Sequence, residues 1–366
     1  MSTIDPVLSL IRPEILALTP YSSARKESSG GRVWLDANEN PKTPAASLPS
    51  EALAKEGWLK LNRYPDPQPA DLIGALAGYY GSSAGNLLVT RGADECIDLL
   101  VRAFCRAGQD AILITPPTYG MYSVSAAIQN ARVATVPLLP GKNFAVDADA
   151  VIAASTPDVK LVFLCSPNNP TGALLERAAV LKIARTLLGR AVVVVDEAYL
   201  EFAGTPSVFA ESSRLPNLVV LRTLSPAFGL AGVRCGVTLA VPALIGVLQK
   251  IIAPYPIPTP VLQATLVAVS PAGLAAARAS VEALVSERTR VAVALARIPA
   301  VRRVWPSDSN FILFGVSDAG KVMAAARAAG VVLRDRSRDY GLANNVRMTM
   351  GTPEENNTAL EAIAHV

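Results

Sequence analysis

Histidine is nearly absent: the 366 residues hold one, His365, the last residue but one. A catalytic Ser–His pair or a histidine-bearing metal cluster is therefore close to excluded. Cysteine is scarce too. Cys96, Cys105, Cys165 and Cys235 include no CxxC spacing, and each lies in an apolar or chemistry-bearing stretch. That argues against a disulfide framework or zinc site and suits free thiols in a reducing cytoplasm, the expected location. Charged residues make up 17%, with a net charge of +4 and no basic run or basic–aromatic interleaving. Nothing in this balance favours nucleic acid, whereas a small anionic substrate is compatible with it. No apolar run approaches the roughly 18 residues of a membrane-spanning helix. The first residues lack a basic stretch followed by an apolar one, so no signal peptide is expected.

What is present is a globular composition, 51% hydrophobic, in a chain long enough for a large domain and a smaller one. Residues 1–49 are rich in Pro and Ser and read as an arm that packs on the smaller domain. From about residue 87, apolar strands alternate with helices. The expected strands are 87–90, 111–115, 133–138, 160–165, 191–195, 217–221 and 236–240, with helices such as 94–106 and 177–188 between them. The runs VFLC and VVVV are apolar on both faces, as central parallel strands are. The pattern predicts an α/β fold whose mostly parallel sheet carries ligand groups at its strand ends. This large domain is placed at 50–255. Residues 256–366 read as a small α+β domain. It would hold one or two linker helices over 261–298, strands at 301–305, 310–314, 331–334 and 346–350, a helix over 319–329, and a last helix from Pro353.

Four segments could carry chemistry. Ser166–Gly172 (SPNNPTG) follows a strand and by itself is only a turn. Asp196-Glu197-Ala198-Tyr199 follows VVVV; a carboxylate there is either a cap or structural ion pair, or a group that meets a cationic ligand. Arg222–Gly236 offers Thr223, Ser225, several glycines and Arg234, which can hold a phosphate or merely form a Gly-rich connection. Arg91-Gly92-Ala93-Asp94-Glu95 is a strand-to-helix turn of the kind that binds anions and is also common without a ligand.

In combination these segments are specific. GADE, PPTYG, SPNNPTG, DEAY and RTLSxAFGLAGxRCG, in this order and spacing, resemble the aspartate-aminotransferase superfamily of fold-type I enzymes, which depend on pyridoxal 5'-phosphate (PLP). LTPYSSAR, ANENP, LNRYPDP and VRMTMGTPEEN narrow the resemblance to histidinol-phosphate aminotransferases, over about residues 15–360. The resemblance implies a homodimer with shared active sites and a ping-pong exchange between L-histidinol phosphate and 2-oxoglutarate. It assigns Asp196 to the pyridine nitrogen, Tyr199 and Asn169 to the ring's phenolic oxygen, and Tyr119 to the ring face. Ala93, Asp94 and Glu95, with Thr223, Ser225 and Arg234, would form the cofactor-phosphate site, joined by Tyr64 of the neighbouring subunit. Arg347 would engage the glutamate carboxylate, and Tyr21, Arg25 and Asn38 would lie near the substrate entrance. Arg334 and Arg336 flank Asp335 and read as an ion pair, with Arg334 an alternative substrate-phosphate contact. Aromatic or broad-specificity aminotransferases and PLP-dependent decarboxylases share much of this pattern.

One position departs from it. In the family's frame Ser-Lys-Ala-Phe-Gly, the lysine bonds to the cofactor and shuttles the substrate proton. Here the residue is Pro226, which has no amine. Three accounts stand side by side: a cofactor-bearing lysine written as proline, a paralogue that binds without turnover, and an engineered substitution. The intact surroundings favour the first. A true proline would also restrict Ser225 and is expected to disturb its phosphate contact.

Overall fold

Strands that are apolar on both faces are stable only where both faces are covered, and the chain meets that need with a sheet between two helical layers. The structure, a computed structural model, describes residues 32–36, 38 and 64–366. In chain order come β1 (Val33–Trp34), α1 (Ala70–Tyr80), β2 (Leu87–Thr90), α2 (Ala93–Phe104) and β3 (Ala111–Ile114). Next are α3 (Met121–Ile128), β4 (Arg132–Thr135), α4 (Ala148–Ala154), β5 (Val159–Cys165), α5 (Arg177–Thr186) and β6 (Val192–Asp196). Then follow β7 (Leu218–Thr223), β8 (Gly236–Leu239) and α6 (Pro242–Ile251).

Among the described residues β2 to β8 form a seven-stranded sheet in the order β2-β8-β7-β6-β5-β3-β4. From β7 across to β4 every pair is parallel, whereas β8 runs antiparallel to both of its neighbours. Alternate residues serve opposite layers. Val162, Leu164, Val193, Val195 and Val220 join one core with Val180 and Ile183 of α5. Leu161, Phe163, Val194, Val219 and Leu221 join the other with Ile97 and Leu100 of α2 and Tyr122 of α3.

The remainder is α7 (Thr259–Ala268), α8 (Pro271–Leu295), β9 (Val301–Val304), β10 (Phe311–Val316), α9 (Ala319–Ala328), β11 (Val331–Val332), β12 (Arg334–Asp335), β13 (Asn345–Thr349) and α10 (Pro353–Ala364). A second, antiparallel sheet runs β12-β13-β10-β9. The apolar stretch over 261–298 yields two helices bent by 72°. The Ser270 hydroxyl accepts from the Gly273 amide at 3.2 Å, and Pro271 takes the first helical position of α8, so a new helix starts there. The strand expected over 331–334 divides. β11 pairs in parallel with β1, while β12 joins β13. Trp305 is a core residue, as its type suggested: it is buried and donates its indole N–H to Asn345 Oδ1 at 3.0 Å.

One close approach anchors the site. A Cβ on Gly236, the first residue of β8, would lie 2.3 Å from the carbonyl carbon of Gly92 and 2.5 Å from the Ala93 nitrogen. Only glycine lets β8 pass the start of α2. Gly236→Ala should cost at least about 1–3 kcal/mol of stability. This is read as a lower urea midpoint with an unchanged slope; an unchanged midpoint would show that the turn yields freely.

Candidate functional site

In the sheet, β3 is followed in sequence by β4 on one side of it and by β5 on the other. Chains leaving β3 and β5 diverge at that point, and ligands bind in the crevice such a switch opens. The crevice is a cavity of about 580 Å³ at the sheet edge where β2, β3, β5, β6 and β7 end. Its lining includes Ala93, Asp94, Tyr119, Asn169, Asp196, Tyr199, Thr223, Ser225, Pro226 and Arg234, and from beyond this sheet Asn38 and Arg347.

One end suits an anion. α2 opens at Ala93, after Gly92 at φ 85°, so its first N–H groups have no partner within the helix. Arg234, in the left-handed region at φ 60°, lies across this helix start and reaches Asp94 Oδ2 at 3.3 Å. A Cβ on Gly92 would sit 2.6 Å from its guanidinium. The Thr223 and Ser225 hydroxyls are 3.0 Å apart at the end of β7. Tyr119 donates to Asp94 Oδ1 at 2.8 Å. Helix N–H groups, two hydroxyls and an arginine are a phosphate's donor set.

The other end carries a buried acid. Asp196 is 3% exposed at the end of β6. Its Oδ2 accepts from the Tyr122 hydroxyl at 2.7 Å and its Oδ1 from the Ala198 amide at 3.1 Å. Burial pushes its carboxyl up to about 6, and those two hydrogen bonds oppose the rise. A cationic group on a ligand would be the natural complement of such a carboxylate.

Tyr199 stands between them. Its oxygen accepts from Asn38 Nδ2 at 2.9 Å and from Asn169 Nδ2 at 3.4 Å, which leaves its own O–H to donate into the cavity. Burial raises its phenol well above the usual range, so it stays a donor. Arg347, on β13, donates to Asn169 Oδ1 and to the Asp36 carbonyl, each at 2.6 Å. Asn38 is held from three sides, giving its amide to Thr349 Oγ1 at 2.9 Å, accepting from that hydroxyl at 3.0 Å, and accepting from Asn310 at 2.9 Å.

The loops are locked from behind. Asn168 donates to the Pro117 carbonyl at 2.9 Å and to Thr171 Oγ1 at 2.8 Å, tying the turn after β5 to the one after β3. Under the strand ends, Arg222 pairs with Glu197 at 3.0 Å and Glu201 at 2.6 Å, all three largely buried.

Pro226 lies buried in the turn after β7 and lines the cavity. Ser225, expected to be restricted by the proline after it, keeps two contacts within the chain. Pro226 fits a turn in which the Ser225 carbonyl accepts from the Leu230 amide at 3.2 Å, and the Ser225 hydroxyl stays beside Thr223. No lysine lines the cavity among the described residues. Its cations are arginines, which do not give up a proton near neutrality.

Other sequence-level candidates divide. Glu95 turns its carboxylate to Arg91 at 2.9 Å instead of lining the cavity. Tyr64 is 81% exposed, stacks on Tyr255 at 4.5 Å, and does not line this chain's cavity. Tyr21 and Arg25 lie outside the described residues. Arg334 and Arg336 both line the cavity, but Arg336 pairs with Asp339, not Asp335, which accepts from the Ser337 amide at 2.8 Å. Sequence reading missed Tyr122, Asp36 and Asp339. Only Tyr122 left a trace, as an aromatic three residues after Tyr119.

A parallel-sheet crevice with an anion site, a buried acid and a phenolic donor suits a transferase of the aminotransferase type. The chain matches the family model "Aminotransferase class I and II" over residues 32–363, and it belongs to that family; it is an aminotransferase. The relatives it resembles narrow the class. It is 46% identical to the histidinol-phosphate aminotransferase of Aeromonas salmonicida over 345 residues, 94% of each chain. It is 44% identical to histidinol-phosphate aminotransferase 1 of Haemophilus influenzae over 364 residues, 100% of this chain and 96% of that one. Among solved structures, the Sinorhizobium meliloti histidinol-phosphate aminotransferase in complex with pyridoxal-5'-phosphate superposes with a TM-score of 0.85 at 24% identity, covering 98% of this chain and 97% of that one. The fold is the fold-type I architecture.

The raised Asp196 carboxyl has a measurable sign. Unfolded aspartate titrates near 3.9, so between about pH 4 and about pH 6 the folded chain holds the extra proton. This group therefore removes stability as pH rises through that window and adds no slope above it. Relative to the native chain, Asp196→Asn should gain on the order of 1–3 kcal/mol from pH 4 to pH 6.5. Urea unfolding at several pH values checks this; a difference that does not vary with pH would refute the assignment.

Proposed function

We propose that this site moves an amino group between L-histidinol phosphate and 2-oxoglutarate, with PLP as cofactor. The carrying observation is the single cavity that gathers Asp196, Tyr199, Asn169, Tyr119 and the Ala93–Thr223–Ser225–Arg234 cradle. The 44–46% identity to enzymes of that name supports it. The residues present fit PLP: the anion cradle takes its phosphate, Asp196 its ring nitrogen, and the O–H of Tyr199 its phenolic oxygen. When bound, PLP supplies an electron sink for the electrons left at the substrate's Cα.

The chain's own groups do the rest. Asp196 holds a proton on the ring nitrogen. Tyr119 and the turn after β5 fix the ring's position. Arg347, fully charged and buried, binds the carboxylate of the glutamate co-substrate. Asn38 lines the cavity, and Tyr21 and Arg25 are assigned to substrate recognition by the resemblance alone. The two half-reactions alternate at one site, in ping-pong order. Tyr64 is exposed and does not line its own chain's cavity, which supports its assignment to the phosphate of a neighbouring subunit in a homodimer. The proposed division is an arm over 1–49, a large domain over 50–255 and a small domain over 256–366, in a protein working in the cytoplasm.

Position 226 sets one condition. Moving the substrate proton requires an amine beside Ser225, and proline supplies none. A chain with proline there holds cofactor and substrate and turns over negligibly. Peptide mass mapping after borohydride reduction reads residue 226 directly: a PLP-modified lysine is expected from an active preparation. If the peptide carries unmodified proline, Pro226→Lys should raise turnover at least about 10²-fold, the usual contribution of a positioned proton shuttle. Full turnover with proline in place would overturn this account. Phenylalanine exceeding histidinol phosphate in kcat/KM would overturn the substrate.

A further inference from the structure

We propose that Tyr122 is a positioning residue for Asp196: its hydroxyl keeps that carboxylate ionised and aimed into the cavity, so that a ring nitrogen meets an anion. This rests on the reading that Asp196 faces the ring nitrogen of PLP.

Besides Asp196, the Tyr122 hydroxyl meets the Cys165 thiol. The Tyr122 side chain is fully buried in α3, stacked on Phe163 at 4.7 Å and edge-on to Tyr119 at 5.7 Å. Its hydroxyl donates to Asp196 Oδ2 at 2.7 Å. Among the described residues no ion pair reaches Asp196. The anion rests on this hydroxyl and on the Ala198 amide, which comes from the same turn as Asp196 itself. Among the described residues, Tyr122 alone donates a hydrogen bond to the carboxylate from another element.

The surroundings make that bond necessary. Facing Asp196 are Asp94 and Cys96 of α2, Cys165 of β5, and Glu197 beside it. Asp94 and Glu197 are carboxylates, and burial pushes both thiols up so that they stay neutral; none of the four offers a cation to offset the negative charge. The nearby cations are engaged: Arg222 with Glu197 and Glu201, Arg234 with Asp94, and Arg347 with Asn169 and Asp36. Burial holds the Tyr122 phenol well above its ordinary range, so it remains a donor wherever Asp196 titrates.

Phenylalanine at 122 keeps the stacked ring and removes the donor. Losing a hydrogen bond to a charged group should raise the Asp196 carboxyl by about one unit or more. The probe is pyridoxine 5'-phosphate, which has the ring nitrogen and phosphate of PLP but no aldehyde, and so bonds covalently to no amine. Its dissociation constant is measured by equilibrium dialysis from pH 5 to 8 on the full chain. The native protein should bind more weakly below about pH 6, where Asp196 takes up its proton. In Tyr122→Phe this acid limb should move up by about one unit, with affinities at pH 8 within about threefold of each other. In an Asp196→Asn background, Tyr122→Phe should leave the pH profile unchanged, because the coupled group is gone. A limb that stays in place while affinity falls equally at every pH would make Tyr122 a packing residue and overturn the proposal. A native protein that binds the probe with no acid limb would instead overturn the Asp196 reading, and the role of Tyr122 with it.

Discussion

A carboxylate shut away from water is the constraint around which this molecule is arranged. Ionised Asp196 is costly at the end of a buried strand, and the neighbouring structure limits that cost without removing it. A phenol from α3 and one backbone amide support the charge, while the nearby arginines are committed to other partners. The group is therefore left wanting a cation from outside. A site that preferred to be empty would have given Asp196 an arginine of its own.

The sheet makes this possible. Its strand ends bring loops from five separate parts of the chain to one edge, and the buried Arg222–Glu197–Glu201 network fixes the floor beneath them. Networks of this kind contribute little net stability, but removing one partner is expensive. The floor is thus rigid by necessity. Hydroxyls, amides and an acid can then keep fixed directions in the absence of a ligand, which is what an electrostatic site requires.

Much of this was legible in the sequence because the signals are local. Apolar runs located β5 and β6, and the polar clusters after them located the crevice. The central chemistry was readable because each group follows its strand directly, as Asn169 follows β5 and Asp196 closes β6. What was not legible depends on tertiary pairing. The segment 331–334 divides because β1 captures β11, a contact some 300 residues away that no local pattern announces. Arg336 pairs with Asp339, three residues on, instead of the adjacent Asp335, a choice that the sequence pattern does not announce. Tyr122 was passed over because an aromatic on an apolar helix face reads as core, and it is core except at its oxygen. Pro226 shows the opposite limit. It is buried in the turn that lines the cavity, and what it changes chemically is the missing amine.

The hydrogen bonds between Asn38 and Thr349 join residues 311 positions apart. Considered as an event during synthesis, this sets an order of assembly. The sheet and all its loops are complete once residue 240 has emerged, yet the wall carrying Asn38, Asn310 and Arg347 cannot close until β13 is free of the ribosome. A nascent chain therefore lacks the side of the cavity that Asn38 and Arg347 form until those two segments meet.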